Sequence, residues 1–441
     1  MNNILELTVG KVMKKWSSLS PQKREIFSRL FLLLPFCAML IVTGLNFRLI
    51  GDEGPFTLKV VEGFSKEWPF PNILNYESST TPLPYLLFTF WGKIIGFEIW
   101  KLRLLPVFLT FFAVNLFYDL CKQYQLPAPL FGALSLLFFP YVFFHGFTVY
   151  TVCFALFFEI LALRYYLVEK PTLIDLIKGS IAATLAIYCR QEYLALPVGM
   201  LLYELFRIPK GNLFSAIKTR FLSWFIYATP LMLILPLFIL WRGTTPPQLQ
   251  TISYLTVVPQ HLNFAPIFIG FYFLPALLNK NFIKLGNSKL SVFLIFAILT
   301  PLFIIFPLKY SEEISKIAAG TGIIPHGIDL LSRHLGSTAG ILVKVLFWMT
   351  GILLIIIEVI SGSWDSVKTK LFAVLAAFIG LITFTPYVAE RYYMISVAPL
   401  ILIFYKPQRD RRIYLLWLVF LILLSVVFSY WEIHLKSFEN W

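Results

Sequence analysis

The sequence predicts an all-α, polytopic integral membrane protein, and three observations carry that prediction. Hydrophobic residues make up 58% of the 441-residue chain, charged residues only 14%, and the mean hydropathy is +0.77. Soluble globular chains sit near about 45–50% apolar and about 25% charged. The apolar residues gather in runs, several of them near the roughly 20 residues that take a helix across a bilayer. Aromatic residues are abundant, with 45 Phe, 21 Tyr and 11 Trp, and suit lipid-facing and interfacial positions.

Taken in order, residues 1–27 form a basic cytoplasmic tail that includes Lys11, Lys14, Lys15, Lys23 and Arg24. A first span follows at 28–47. No small-residue cleavage site comes after it, so it is read as uncleaved. Further apolar windows fall at 82–100, 104–118, 127–144, 147–168, 173–188, 193–206, 221–241, 264–278, 290–308, 340–360, 371–387, 392–405 and 413–430. Only 82–100, PLPYLLFTFWGKIIGFEIW, needs arbitration. If it crosses, the basic loops RIPKGNLFSAIKTR and KPQRDRR face outward, against the rule that Lys and Arg collect in cytoplasmic loops. If it lies along the interface or dips in without crossing, most of the 37 Lys and Arg face the cytoplasm. The expectation is therefore about 13 spans in one transmembrane domain, residues 1–441, with interfacial helices in an outer loop at 48–103.

The net charge of +14 has the same origin, and no nucleic-acid partner is expected; membrane lipids are. Cys37, Cys121, Cys153 and Cys189 lie far apart without metal or disulfide spacing and read as small buried apolar residues. The chain has no GxxxxGK[ST] loop, GxGxxG turn, HExxH or GxSxG, so nucleotide-driven transport and zinc proteolysis find no support. Neither a cofactor nor a metal is expected.

This topology places five short polar elements on the non-cytoplasmic face: GDEG with Asp52 and Glu53, HGFTVYT (145–151), CRQEY (189–193), WRGTTPPQLQ (241–250) and AERYY (389–393). Asp52 and Glu53 open an amphipathic stretch, and a carboxylate at a partly dry bundle mouth is expected to have a raised pKa and to serve as general base. Arg190 stands between two spans with almost no loop. A cation there suits a phosphate or pyrophosphate, for which guanidinium offers a planar donor fork. Gln191, Arg391 and Tyr392 are further candidates toward the phosphate, and Glu390 is placed as a substrate-lining group or a partner of Arg391. His145 reads as structural, Tyr150 and Thr151 line the same loop, and Arg242 ends a span beside a Pro-Pro turn that lines an acceptor groove.

The order of these elements resembles the GT-C superfamily of membrane glycosyltransferases. Thr81–Pro82–Leu83–Pro84–Tyr85 and Arg103–Leu104–Leu105–Pro106 are similar to stretches of the aminoarabinose transferases and protein O-mannosyltransferases. Asp52–Glu53, Thr80–Tyr85, Tyr150–Thr151, Arg190–Gln191 and Arg391–Tyr393 resemble, in order, motifs of the eukaryotic α-1,2-glucosyltransferase of lipid-linked oligosaccharides. That family's later Asp-Asn-Arg-His-Tyr motif has only LLSRHLGS (330–337) as a weak counterpart. The resemblance implies a GT-C-like bundle that moves a sugar, with inversion, from an undecaprenyl- or dolichyl-phosphate carrier to a glycan, lipid or protein acceptor. It implies Asp52 as base with Glu53 beside it, Arg190 on the donor phosphate, and Tyr85 among the lining groups. A prokaryotic plasma membrane is expected before an endoplasmic reticulum. The rival reading is a transporter or flippase that uses the same charges as a relay near mid-membrane.

Overall fold

Local rules set the helix ends. Helix α1 (Pro21–Thr43) starts where the Ser20 hydroxyl accepts the Lys23 N–H, with proline at its first position, and stops at Gly44 in the left-handed conformation (φ 56°), the usual composition of a helix start and stop. The protein is described by a computed structural model covering residues 20–126, 128–207, 213–251, 255–278, 300–301, 303–310, 319–361, 364–405 and 411–435. After α1 come a single turn at Gly51–Glu53, then α2 (Lys59–Lys66), α3 (Leu83–Ile95), α4 (Ile99–Gln123), α5 (Pro129–Leu137), α6 (Pro140–His145), α7 (Val152–Tyr166), α8 (Leu173–Cys189), α9 (Ala195–Phe206), α10 (Leu213–Trp241) and α11 (Gln260–Tyr272). Beyond them lie α12 (Ile323–Leu335), α13 (Ser337–Ser361), α14 (Ser366–Ile382), α15 (Met394–Phe404) and α16 (Arg411–Tyr430).

The chain is a polytopic, almost wholly helical membrane protein. Among the described residues, five helical stretches are long and apolar enough to cross a bilayer: Pro21–Thr43, Ile99–Gln123, Arg220–Trp241, Ser337–Ile360 and Ile413–His434. Most other predicted windows correspond to shorter helices, and most of window 290–308 lies outside the described residues. Window 82–100 becomes α3, 13 residues long. At 1.5 Å per residue it reaches about 20 Å, short of a hydrocarbon core of about 30 Å. Window 127–144 splits into α5 and α6, because Phe139 before Pro140 is extended (φ −67°, ψ 126°), as the ring of a following proline demands.

Helices approach closely where side chains vanish. A Cβ on Gly270 would strike the Phe347 carbonyl and one on Gly351 the Pro266 carbonyl, so α11 and α13 meet backbone to backbone. Small residues serve this purpose in membrane bundles, where lipid offers no hydrophobic drive to association.

The sequence did not announce a three-stranded parallel sheet of β1 (Lys309–Tyr310), β2 (Ala319–Thr321) and β3 (Val388–Ala389), in that order. Gly320 pairs with Val388 and Thr321 with Ala389. The small sheet sets the start of α12 beside the Glu390–Tyr393 turn, which follows β3 directly.

Candidate active site

Two adjacent carboxylates begin the site and take different partners. Gly51 adopts φ 52°, a left-handed conformation that glycine reaches without strain, and the Gly51–Glu53 turn follows. Glu53 is 1% exposed and Arg103, from α4, is fully buried. Arg103 Nε donates to Glu53 Oε1 at 3.0 Å and Nη2 to Oε2 at 2.6 Å. The Val149 and Ile50 N–H groups donate to the same carboxylate at 2.6 and 2.9 Å. The remaining Arg103 hydrogens go to the carbonyls of Leu45, Phe47 and Arg48. This is a saturated, bidentate pair, and it pins the loop that carries Asp52.

Asp52 faces the mouth of the bundle. Arg391 Nη1 donates to its Oδ2 at 2.6 Å and the Tyr150 hydroxyl donates to the same oxygen at 2.9 Å. Oδ1 accepts no hydrogen bond among the described residues. Burial would raise this carboxyl, but the Arg391 guanidinium and the Tyr150 hydroxyl outweigh it and hold Asp52 below its usual value. The raised pKa expected from the sequence is thereby corrected: the nearby cation, not the dry setting, decides.

Arg190 caps α8 and is buried. Its Nη1 donates to Thr151 Oγ1 at 3.1 Å and Nη2 to Glu192 Oε1 at 2.8 Å. The two guanidiniums share two rings: the carbon of Arg190 lies 6.0 Å from Tyr150 and 5.7 Å from Tyr392, and that of Arg391 5.7 Å from each. Cation–π contacts of this kind hold guanidinium planes in place. Gln191 donates to the carbonyls of Ser79 and Thr244 at 2.5 and 3.3 Å. Contacts therefore join the 51–53, 145–151, 189–193, 241–250 and 389–393 elements directly or through these residues.

A cavity of about 320 Å³ opens beside Arg190. Its lining combines polar residues, Ser79, Thr80, Arg190, Gln191, Glu192, Thr244, Thr245, Thr385 and Tyr392, with apolar ones, Leu194, Leu255, Phe378, Leu381, Ile382, Phe384 and Pro386. A lining of this mixed character suits an amphiphile.

Several sequence expectations shift against this geometry. Glu53 is fully engaged with Arg103 and backbone N–H groups, so it positions the loop. Glu390 is fully buried and does not pair with Arg391. It accepts from the Tyr272 hydroxyl and, at 2.9 Å, from the Ile324 N–H, away from the cavity walls. Burial pushes its carboxyl up to about 7. Gln191 cannot donate to a phosphate while both its amide hydrogens serve backbone carbonyls. Tyr85 is buried outside the cavity lining, hydrogen-bonded to Ser78 and to the lining residue Thr80. Thr151 supports Arg190, and Arg242 is exposed outside the cavity walls. Sequence reasoning passed over Arg103 and Glu192 as site residues. An arginine near the start of an apolar helix and a carboxylate two places after Arg190 were the available signals.

These features define a class: a polytopic helical membrane protein that brings together a carboxylate, two arginines and a cavity of mixed polar and apolar lining. No family model and no curated protein matches the chain. Among solved structures it is similar to ArnT from Cupriavidus metallidurans in the apo state, at 14% identity over 91% of this chain and 77% of that one, with a TM-score of 0.39. It is likewise similar to ArnT from Cupriavidus metallidurans bound to undecaprenyl phosphate, at 13% identity over 92% and 78%, with a TM-score of 0.42.

Proposed function

We propose that this protein is a GT-C-type glycosyltransferase that moves a sugar from a polyprenyl-phosphate carrier to an acceptor hydroxyl on the non-cytoplasmic face of a prokaryotic plasma membrane. The observation that carries the reading is a largely apolar-lined cavity that includes buried Arg190 and Tyr392, with the Asp52–Arg391 pair joined to it through the Tyr392 ring. The lipid tail lies along Phe378, Leu381 and Ile382, and the phosphate meets Arg190.

The acceptor oxygen attacks the anomeric carbon while the bond from that carbon to the phosphate oxygen breaks, its electron pair leaving with the phosphate. The acceptor proton passes to Asp52 Oδ1. Negative charge grows on the phosphate as the bond breaks, so Arg190, and Arg391 if it turns from Asp52, stabilise the transition state more than the ground state. Asp52 at rest is a poor base, because Arg391 holds it ionised. An arriving phosphate competes for Arg391 and makes Asp52 more basic. One displacement inverts the anomeric configuration. Glu53, through Arg103, keeps Asp52 in place.

The test is a transfer assay in lipid nanodiscs with a panel of radiolabelled undecaprenyl- and dolichyl-phosphate hexoses and crude membrane acceptors. Transfer by wild type that falls about 10²–10⁴-fold in Asp52→Asn, and falls in kcat in Arg190→Lys, supports the reading. Equal transfer by Asp52→Asn removes Asp52 as base. Uptake of the labelled lipid across the bilayer without transfer would favour a flippase.

A further inference from the structure

Two residues that line the cavity, Gln191 and Glu192, each carry a buried side-chain oxygen that no group in the described protein satisfies. The side-chain nitrogen of Gln191 donates to the Ser79 and Thr244 carbonyls, which leaves Gln191 Oε1 without a donor. The amide cannot turn over, since that would set its oxygen against two carbonyl oxygens. Glu192 is constrained in a similar way. Its Oε1 accepts from Arg190 Nη2 at 2.8 Å, and its Oε2 is buried without a donor. Unsatisfied buried acceptors are uncommon and costly, yet here two stand on consecutive residues in the wall of one cavity.

The chemistry of a matching ligand follows from charge. Two acceptors, one of them a carboxylate oxygen, repel a phosphate. They call for O–H or N–H donors. Arg190 already balances the Glu192 charge across 2.8 Å, and Arg391 likewise balances Asp52, so a further cation gains little. Neutral hydroxyls fit best, and a polyhydroxylated ligand can offer one to each acceptor.

We infer that Gln191 and Glu192 form a sugar subsite that accepts hydrogen bonds from two hydroxyls of the sugar and so sets which sugar is taken. The inference rests on the reading of the cavity as a sugar-transfer site. Arg190 divides the subsite from the phosphate: one Nη group holds Glu192 while the guanidinium faces the lipid head. Glu192 thus has two tasks, and the test must separate hydroxyl recognition from the orientation of Arg190.

The experiment measures binding to wild type, Glu192→Gln, Glu192→Ala and Gln191→Ala in nanodiscs, each checked for unaltered thermal unfolding. The probes are bare undecaprenyl phosphate, undecaprenyl-phosphate glucose and mannose with their single-position deoxy analogues, and methyl hexopyranosides without any lipid. The expected result is that wild type prefers sugar-bearing over bare lipid, and that Glu192→Ala and Gln191→Ala each reduce this preference about ten-fold. One deoxy analogue should lose affinity in wild type and lose nothing further in the variant that removes its acceptor. An equal loss for bare and sugar-bearing lipid in Glu192→Ala and Glu192→Gln would overturn the inference, because Glu192 would then act only through Arg190. If wild type binds no lipid phosphate, the proposed function fails. The subsite then stands only if methyl hexoside binding, read by saturation-transfer NMR, is lost in Glu192→Ala and Gln191→Ala, and it falls if binding is absent or indifferent to both. Deoxy effects seen with the free glycosides and not with the lipid-linked sugars would place the acceptor sugar, rather than the donor sugar, on these residues.

Discussion

Asp52 and Glu53 are neighbours in sequence with opposite surroundings. Glu53 meets Arg103 through both oxygens, takes two further N–H bonds and is sealed from solvent. Asp52 meets Arg391 through one oxygen, shares that oxygen with Tyr150, and keeps 20% of its side chain exposed. A carboxylate with every lone pair committed fixes structure. One with an open oxygen can exchange partners. On the proposed function, burial and charge pairing alone do not mark the catalytic base, and unspent hydrogen-bonding capacity is the better sign.

The largest effect should come from the sealed pair. Replacing Glu53 by Ala leaves a buried, uncompensated guanidinium, at a cost of about 3–5 kcal/mol. The expected outcome is a strongly lowered unfolding temperature and loss of a monodisperse peak in detergent; a variant as stable as wild type would break the comparison. Next in size, Asp52→Asn should leave unfolding nearly unchanged and cut transfer by about 10²–10⁴-fold, the contribution of a positioned general base. The pair of outcomes, stability lost in one variant and turnover in the other, is what the contrast demands.

Glu390 supplies a third, pH-dependent test. In the folded protein it keeps its proton up to about 7, whereas an unfolded chain releases it near about 4.3. The folded state therefore binds more protons in this window, and stability declines as pH rises from about 4.3 through about 7. Thermal unfolding followed from pH 5 to pH 8 should show a decline in wild type, up to about 3 kcal/mol, that is absent in Glu390→Gln. Parallel curves for the two would refute the assignment. The smallest effect sharpens the opening contrast directly. A double-mutant cycle on Asp52 and Arg391 should give a coupling of about 1 kcal/mol or less, as for partly exposed pairs, against several for Glu53 and Arg103.

Much of the membrane character was legible in the sequence, because apolar runs and basic loops are local patterns. Window 82–100 shows both the reach and the end of such patterns: charge sidedness argued against a crossing, and α3, at 13 residues, is about as long as α9, α11 and α15. The break at Pro140 was readable from proline chemistry but was passed over within a single apolar window. Other features were beyond a local reading. The strands are two or three residues long, shorter than any alternation can reveal. Arg391 lay next to Glu390, which invited a pairing between them, yet residues one apart do not face each other in a helical turn. Its real partner is set by β3 and the turn after it. Glu192 was quoted within CRQEY, but its open oxygen depends on where Arg190 points, which only the packed fold decides.

The Asp52–Arg391 bond also has a consequence in time. Its two residues are 339 positions apart. At about 5–20 residues per second, the ribosome completes the second on the order of 20 to 70 s after the first. Until then Asp52 lacks its counter-ion and the cavity lacks Tyr392, and for most of that time it also lacks the lining residues from Phe378 to Pro386. A nascent chain cannot assemble the complete site before Arg391 and Tyr392 have been made, and a product released before them lacks that site however many spans it has inserted.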